Sequence, residues 1–146
     1  MAPPAPESPT SVAKLRVPAE LSQLALIFEF CIKFADAHQI GEDKRFALEV
    51  CLEEIVTNVM KYAYPPGTIG PVEISLTLEA DTLQIQVLDE GAPFDPTSAP
   101  EVDTTLPLEQ RPIGGLGLHM VRKMMDAVHY RREGERNLLT MISKVA

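Results

Sequence analysis

Leu52-Glu53-Glu54-Ile55-Val56-Thr57-Asn58-Val59-Met60-Lys61-Tyr62 is the stretch whose reading decides the fold of this chain. It lies inside a longer helical pattern opened by Glu42 and Asp43, whose acidic side chains favour the positive end of the helix dipole. Pro65-Pro66-Gly67 stops the pattern, so the spacing predicts a helix from Glu42 to about Tyr64. Glu54 and Asn58, four residues apart, project from one face of it. A carboxylate in that place can orient or deprotonate an attacking hydroxyl. An Asn amide oxygen is a neutral hard ligand, suited to a magnesium ion that bridges phosphate oxygens. Lys61 follows one turn further on, within reach of phosphates. Glu-x-x-x-Asn alone describes a solvated helix face equally well. Asn58 departs from that bland reading because it sits among Val56, Val59, Met60 and Tyr62.

Upstream, Ser11 to Val17 alternates, with Val12, Leu15 and Val17 as its apolar members, and predicts an edge strand ended by Pro18. Leu21 to His38 predicts an amphipathic helix carrying Leu24, Ile27, Phe28, Cys31, Ile32 and Ala35 at helical spacing. Met1 to Pro9 holds four prolines and no basic apolar signal, so residues 1–10 are expected to be a disordered lead-in to a single domain over 11–146. Downstream, Val72 to Leu78 and Leu83 to Leu88 alternate and meet at a polar turn around Asp81, which predicts an antiparallel hairpin. Gly91 to Pro112 has no periodicity and is rich in proline; a loop so long inside a compact domain is a functional lid or disordered, and a lid over about 90–113 is expected. Gly114-Gly115-Leu116-Gly117 opens a third helix to Met125. Val128 to Arg132 and Leu138 to Lys144 close the chain as a second hairpin. This order predicts an α+β two-layer sandwich, a mixed and mostly antiparallel sheet covered by helices on one face.

Two further pieces carry chemistry. Leu88-Asp89-Glu90-Gly91 ends an alternating strand. Asp89 accepts hydrogen bonds where an adenine offers an exocyclic amine, and Gly91 lets backbone and base approach closely. Asp-x-Gly also starts ordinary turns. Gly114-Gly115-Leu116-Gly117-Leu118 leads into a helix, whose first N–H groups and dipole suit phosphate. No strand precedes these glycines, which excludes a Rossmann fingerprint, and no Gly-Lys-Ser/Thr exists for a Walker loop.

The net charge of −8 over 146 residues argues against an open nucleic-acid surface, which needs clustered Lys and Arg. No run of about 18 apolar residues is available to span a membrane. Cys31 and Cys51 both fall in apolar helical patterns and read as small core residues of a reduced, cytoplasmic protein, with no disulfide frame or zinc site.

In order and spacing, these pieces resemble the GHKL ATPase superfamily, whose ATP pocket is the Bergerat fold. Glu54 to Asn58 looks like its N box, Asp89-x-Gly91 its first glycine box and Gly115-Leu116-Gly117-Leu118 its second; the resemblance spans about Leu15 to Val145. Glu at the first N-box position is similar to the stand-alone anti-sigma-factor serine kinases. The resemblance implies binding of ATP and Mg2+ and phosphorylation of a serine on a STAS-type anti-sigma antagonist. It further implies sequestration of a sigma factor by a homodimer, with no direct nucleic-acid or membrane contact. Carried onto this chain, it implies Glu54 as general base, Asn58 as magnesium ligand and Asp89 for adenine with Gly91 beside it. Gly115, Gly117 and Leu118 would face the phosphates with Leu116 between them, and Thr140 would assist Asp89 through water. Lys61 stands where gyrase-like and chaperone-like members carry an aspartate, and Tyr62 where several serine kinases carry a histidine. A non-catalytic regulatory module of the same fold is the alternative; it has no need of a carboxylate at Glu54.

Overall fold

The computed structural model describes residues 10–95 and 115–145. Residues 1–9 of the expected lead-in, most of the expected lid and Gly114 lie outside them, while Thr10 belongs to the first strand. The first element is β1 (Thr10–Pro18), followed by a 3-10 turn (Leu21–Gln23), α1 (Leu24–Ala37) and α2 (Glu42–Asn58). A π-helical turn (Val59–Ala63) continues α2 and leads to β2 (Pro71–Glu79) and β3 (Thr82–Asp89). The chain resumes in α3 (Gly115–Met124), β4 (Ala127–Glu133) and β5 (Arg136–Lys144).

The five strands form one sheet in the order β1-β2-β3-β5-β4. Every hydrogen-bonded pair in it is antiparallel, so the sheet expected to be mixed and mostly antiparallel is wholly so. The connection from β3 through α3 does make β3 and β4 run the same way, as a crossover demands. However, β5 folds back between them and turns what would be a parallel pair into two antiparallel ones.

Burial follows the strand and helix periods. Val72, Ile74 and Leu76 of β2, Leu83, Ile85 and Val87 of β3, and Leu139 and Met141 of β5 face one side and are buried. The helices supply the other half of this core. α2 contributes Leu48, Cys51, Leu52, Ile55 and Val56, and it packs against both α1 and α3. Truncating the fully buried Leu52 to alanine costs about 2–5 kcal/mol. Two expected core positions point elsewhere. Val12 is 55% exposed because the inward parity of β1 belongs to Leu15 and Val17. In α1, Phe34 takes the core place and Ile32 is 40% exposed, since Ile27, Cys31, Phe34 and Ala35 form the buried stripe.

Cys31 and Cys51 are free and buried. Burial pushes the Cys31 thiol up to about 12, with the charge of Glu49 adding to it. Burial alone pushes Cys51 up to about 11. His38 caps the end of α1 and stacks on Phe34 with ring centroids 4.5 Å apart. Among the described residues, no helix is long and apolar enough to cross a membrane.

Candidate functional site

A cavity of ≈ 230 Å³ opens between the end of α2 and the sheet. Its apolar walls include Ile55, Val59, Val87 and Leu139; Asn58, Asp89, Tyr130 and Asn137 are among its polar lining residues. The helix reaches this wall through a change of hydrogen bonding. After Asn58 the backbone widens into the π turn, a rare device that recurs at functional sites. The wider turn brings Tyr62 and Ala63 to the cavity beside Asn58 and Val59. Lys61 falls on the outer side, is exposed and does not line the cavity.

Asp89 ends β3 on the core face and is 7% exposed. Its Oδ1 accepts two hydrogen bonds, from the Gly91 N–H at 2.8 Å and from Asn137 Nδ2 at 2.9 Å. Among the described residues no hydrogen bond reaches Oδ2, and Asp89 lines the cavity. One carboxylate oxygen is therefore used to hold the group still, and the other is left for a ligand. An apolar slot with an open carboxylate oxygen at its sheet end suits a heterocycle that carries an amine, so the residues present fit an adenine.

Gly91 is required for a reason other than approach of a base. A Cβ there would stand 2.3 Å from the Ala63 carbonyl oxygen, and the next N–H, of Ala92, bonds that same oxygen at 3.2 Å. The glycine docks the strand end onto the helix end. Tyr64 completes the joint. Its hydroxyl donates to the Pro71 carbonyl at 2.5 Å and accepts the Glu90 N–H at 2.8 Å. Burial, aided by Asp89 and Glu90, raises the Tyr64 phenol above its ordinary range and keeps it a donor.

On α2, Asn58 Nδ2 donates to Glu54 Oε1 at 3.1 Å. A carboxylate only accepts, so this bond settles which way the Asn58 amide points. Its Oδ1 has no donor among the described residues and remains open beside the cavity. No cluster of three or more His, Cys, Asp or Glu comes together among the described residues. One neutral oxygen still fits magnesium, which keeps waters and takes the rest of its shell from phosphate. Glu54 is half-buried and stands one turn behind the cavity wall.

The glycine segment and Thr140 need correction or restriction. α3 starts at Gly115, so the N–H groups of its first turn lack partners within the helix. Leu118, expected to close over phosphate, is 5% exposed and belongs to the hydrophobic core with Val121 and Met125. Thr140, expected to help Asp89, lies on the opposite face of the sheet, where its hydroxyl accepts from Gln86 at 3.4 Å. The residue paired with Asp89 is Asn137. Strand alternation alone separates them: 137, 139 and 141 share the core face and 140 does not. The adjacent leucines 138 and 139 hid that parity, because both are buried and either could be read as the inward one.

The fold and the cavity suit a nucleotide-binding domain. Residues 17–143 match the family described as "Histidine kinase-like ATPase domain", and the chain belongs to that family. It is similar to the serine/threonine-protein kinase BtrW of Bordetella bronchiseptica, 31% identical over 102 residues that cover 70% of this chain and 72% of that one. The serine-protein kinase RsbW of Bacillus cereus is 27% identical over 132 residues, 87% of this chain and 82% of its own. A crystal structure of the RsbU and RsbW domains of a Mycobacterium tuberculosis protein matches with a TM-score of 0.68 at 12% identity. That match covers 94% of this chain but 32% of the larger molecule, and it bears on fold alone.

Proposed function

We propose that this chain is a serine protein kinase that uses ATP and magnesium to phosphorylate a STAS-type anti-sigma antagonist. When not engaged with that antagonist it holds a sigma factor, as a cytoplasmic homodimer. The observation that supports the reading most is the Glu54–Asn58 hydrogen bond, with the Asn58 oxygen left open at the cavity edge.

Phosphoryl transfer asks for positioning and charge stabilisation more than for covalent help. Asp89 Oδ2 accepts from the amine of the base. Asn58 Oδ1 would hold magnesium, which would supply charge neutralisation at the phosphates. Gly115, Leu116, Gly117 and Leu118 turn unpaired backbone N–H groups of the first α3 turn toward the phosphates. Glu54 takes the proton of the attacking serine hydroxyl.

The test is incubation with γ-labelled ATP, magnesium and a STAS protein from the same genome. Label on a serine of the STAS protein is the expected result. Tight ATP binding with no transfer would move the chain to the class of non-catalytic regulatory modules that hold a partner. Silence in calorimetry at millimolar ATP would remove nucleotide from the reading altogether.

A further inference from the structure

We infer that Asn137 is the positioning residue for base recognition: its amide fixes the Asp89 carboxylate so that one oxygen alone is offered to the amine of the base. The inference rests on the ATP reading above and adds to it the source of selectivity.

The geometry leaves Asn137 no freedom. Nδ2 donates to Asp89 Oδ1 and to the Ala92 carbonyl, both at 2.9 Å. Oδ1 accepts from the Tyr130 hydroxyl at 2.6 Å, from Arg132 Nη1 at 3.2 Å and from the Phe94 N–H at 3.4 Å. Both amide hydrogens and the carbonyl oxygen are thus engaged, and the side chain is 6% exposed. A flipped amide would set Nδ2 against Tyr130 and Arg132 donors and Oδ1 against two acceptors, so only one orientation is consistent.

The same corner has spent its backbone donors. The Glu90 N–H goes to Tyr64, the Gly91 N–H to Asp89 and the Ala92 N–H to Ala63, while Pro93 has none. Arg132 Nη1 also donates to the Gly91 carbonyl at 2.8 Å. What remains for a base is the second oxygen of Asp89, a pure acceptor. Selection is then for a base with an exocyclic amine, and Asn137 is what keeps that acceptor aimed.

The experiment compares magnesium-dependent binding of ATP with that of purine riboside 5′-triphosphate, which lacks only the amine, by calorimetry on the full chain. The wild-type chain is expected to prefer ATP by about tenfold or more, the range for one hydrogen bond to a charged acceptor. In Asn137→Ala and Asn137→Asp the preference should collapse to about twofold, through weaker ATP binding with the analogue unchanged. Asn137→Asp keeps the shape while setting an oxygen where the donor stood, and Tyr130→Phe removes one hydroxyl and should lower the preference partway. A purely structural role would weaken both nucleotides together and keep their ratio. Retention of the wild-type preference in any of these variants that folds overturns the inference and leaves ATP binding standing. A wild-type chain that binds neither nucleotide overturns the ATP reading and the inference with it.

Discussion

The two ends of the cavity are built on different terms. At the sheet end, Asp89, Asn137, Tyr130, Arg132 and the backbone of residues 90–94 form a closed set of hydrogen bonds, several of them between groups more than forty residues apart. At the helix end, one 3.1 Å bond joins Glu54 to Asn58, four residues away on the same half-exposed surface. The sheet end is organised before any ligand arrives, since a buried carboxylate left unheld would cost several kcal/mol. The helix end keeps its oxygens available, since water satisfies them until a ligand takes over. On the proposed reading, base selection falls to the rigid corner and group transfer to the looser one.

Mutations separate the two ends, the largest effect first. Glu54→Gln should lower phosphoryl transfer by about 10²–10⁴-fold, the range for a positioned general base. Its affinity for ATP should stay within about twofold, as measured by calorimetry beside a transfer assay. An equal loss of affinity would place Glu54 in binding and erase the contrast. Asp89→Ala removes the open acceptor and should weaken ATP about 10–100-fold, consistent with a hydrogen bond to a charged group. If affinity holds, the corner is structural. Asn58→Ala should lower the magnesium-dependent part of ATP affinity by roughly tenfold, with binding in excess chelator unaffected.

Smaller effects report on the joint between the ends. Gly91→Ala pushes a methyl group onto the Ala63 carbonyl, a backbone atom that cannot swing aside. It should cost about 1–3 kcal/mol, read as a Tm lower by roughly 2–4 °C per kcal/mol. The smallest effect is on pH. The ordinary Cys value is 9.0, and the buried thiols titrate only at about 12 and about 11. Below pH 9 both states hold their protons and no linkage arises. Above it the unfolded chain loses protons that the native one keeps, so stability falls as pH rises through that window. A Cys31→Ala, Cys51→Ala double variant should show a flatter decline in chemical-denaturation midpoints between about pH 9 and 11.

Legibility of this molecule followed the range of the interaction. Glu54 and Asn58 could be paired from the chain because helical geometry makes neighbours of residues four apart. Asp89 could be singled out as the last polar residue of an alternating strand. Asn137 could not be tied to it, as 48 residues separate them and two consecutive leucines obscured the parity of the last strand. Thr140, which the resemblance implied beside Asp89, faces the other side of the sheet with Gln86. Leu118, which the resemblance set toward phosphate, lies on the helix face that packs into the core with Val121 and Met125.

Local pattern by itself determined the elements, the helix–hairpin order and the Glu54, Asn58 and Asp89 positions, since helix and strand periods and turn residues act over a few neighbours. Tertiary structure alone decided that β5 would enter between β3 and β4. That insertion lays Asn137 against Asp89, and Gly91 and Tyr64 join the strand end to the helix end. These outcomes depend on which surfaces meet when the apolar faces are buried together, and no local stretch of chain carries that information.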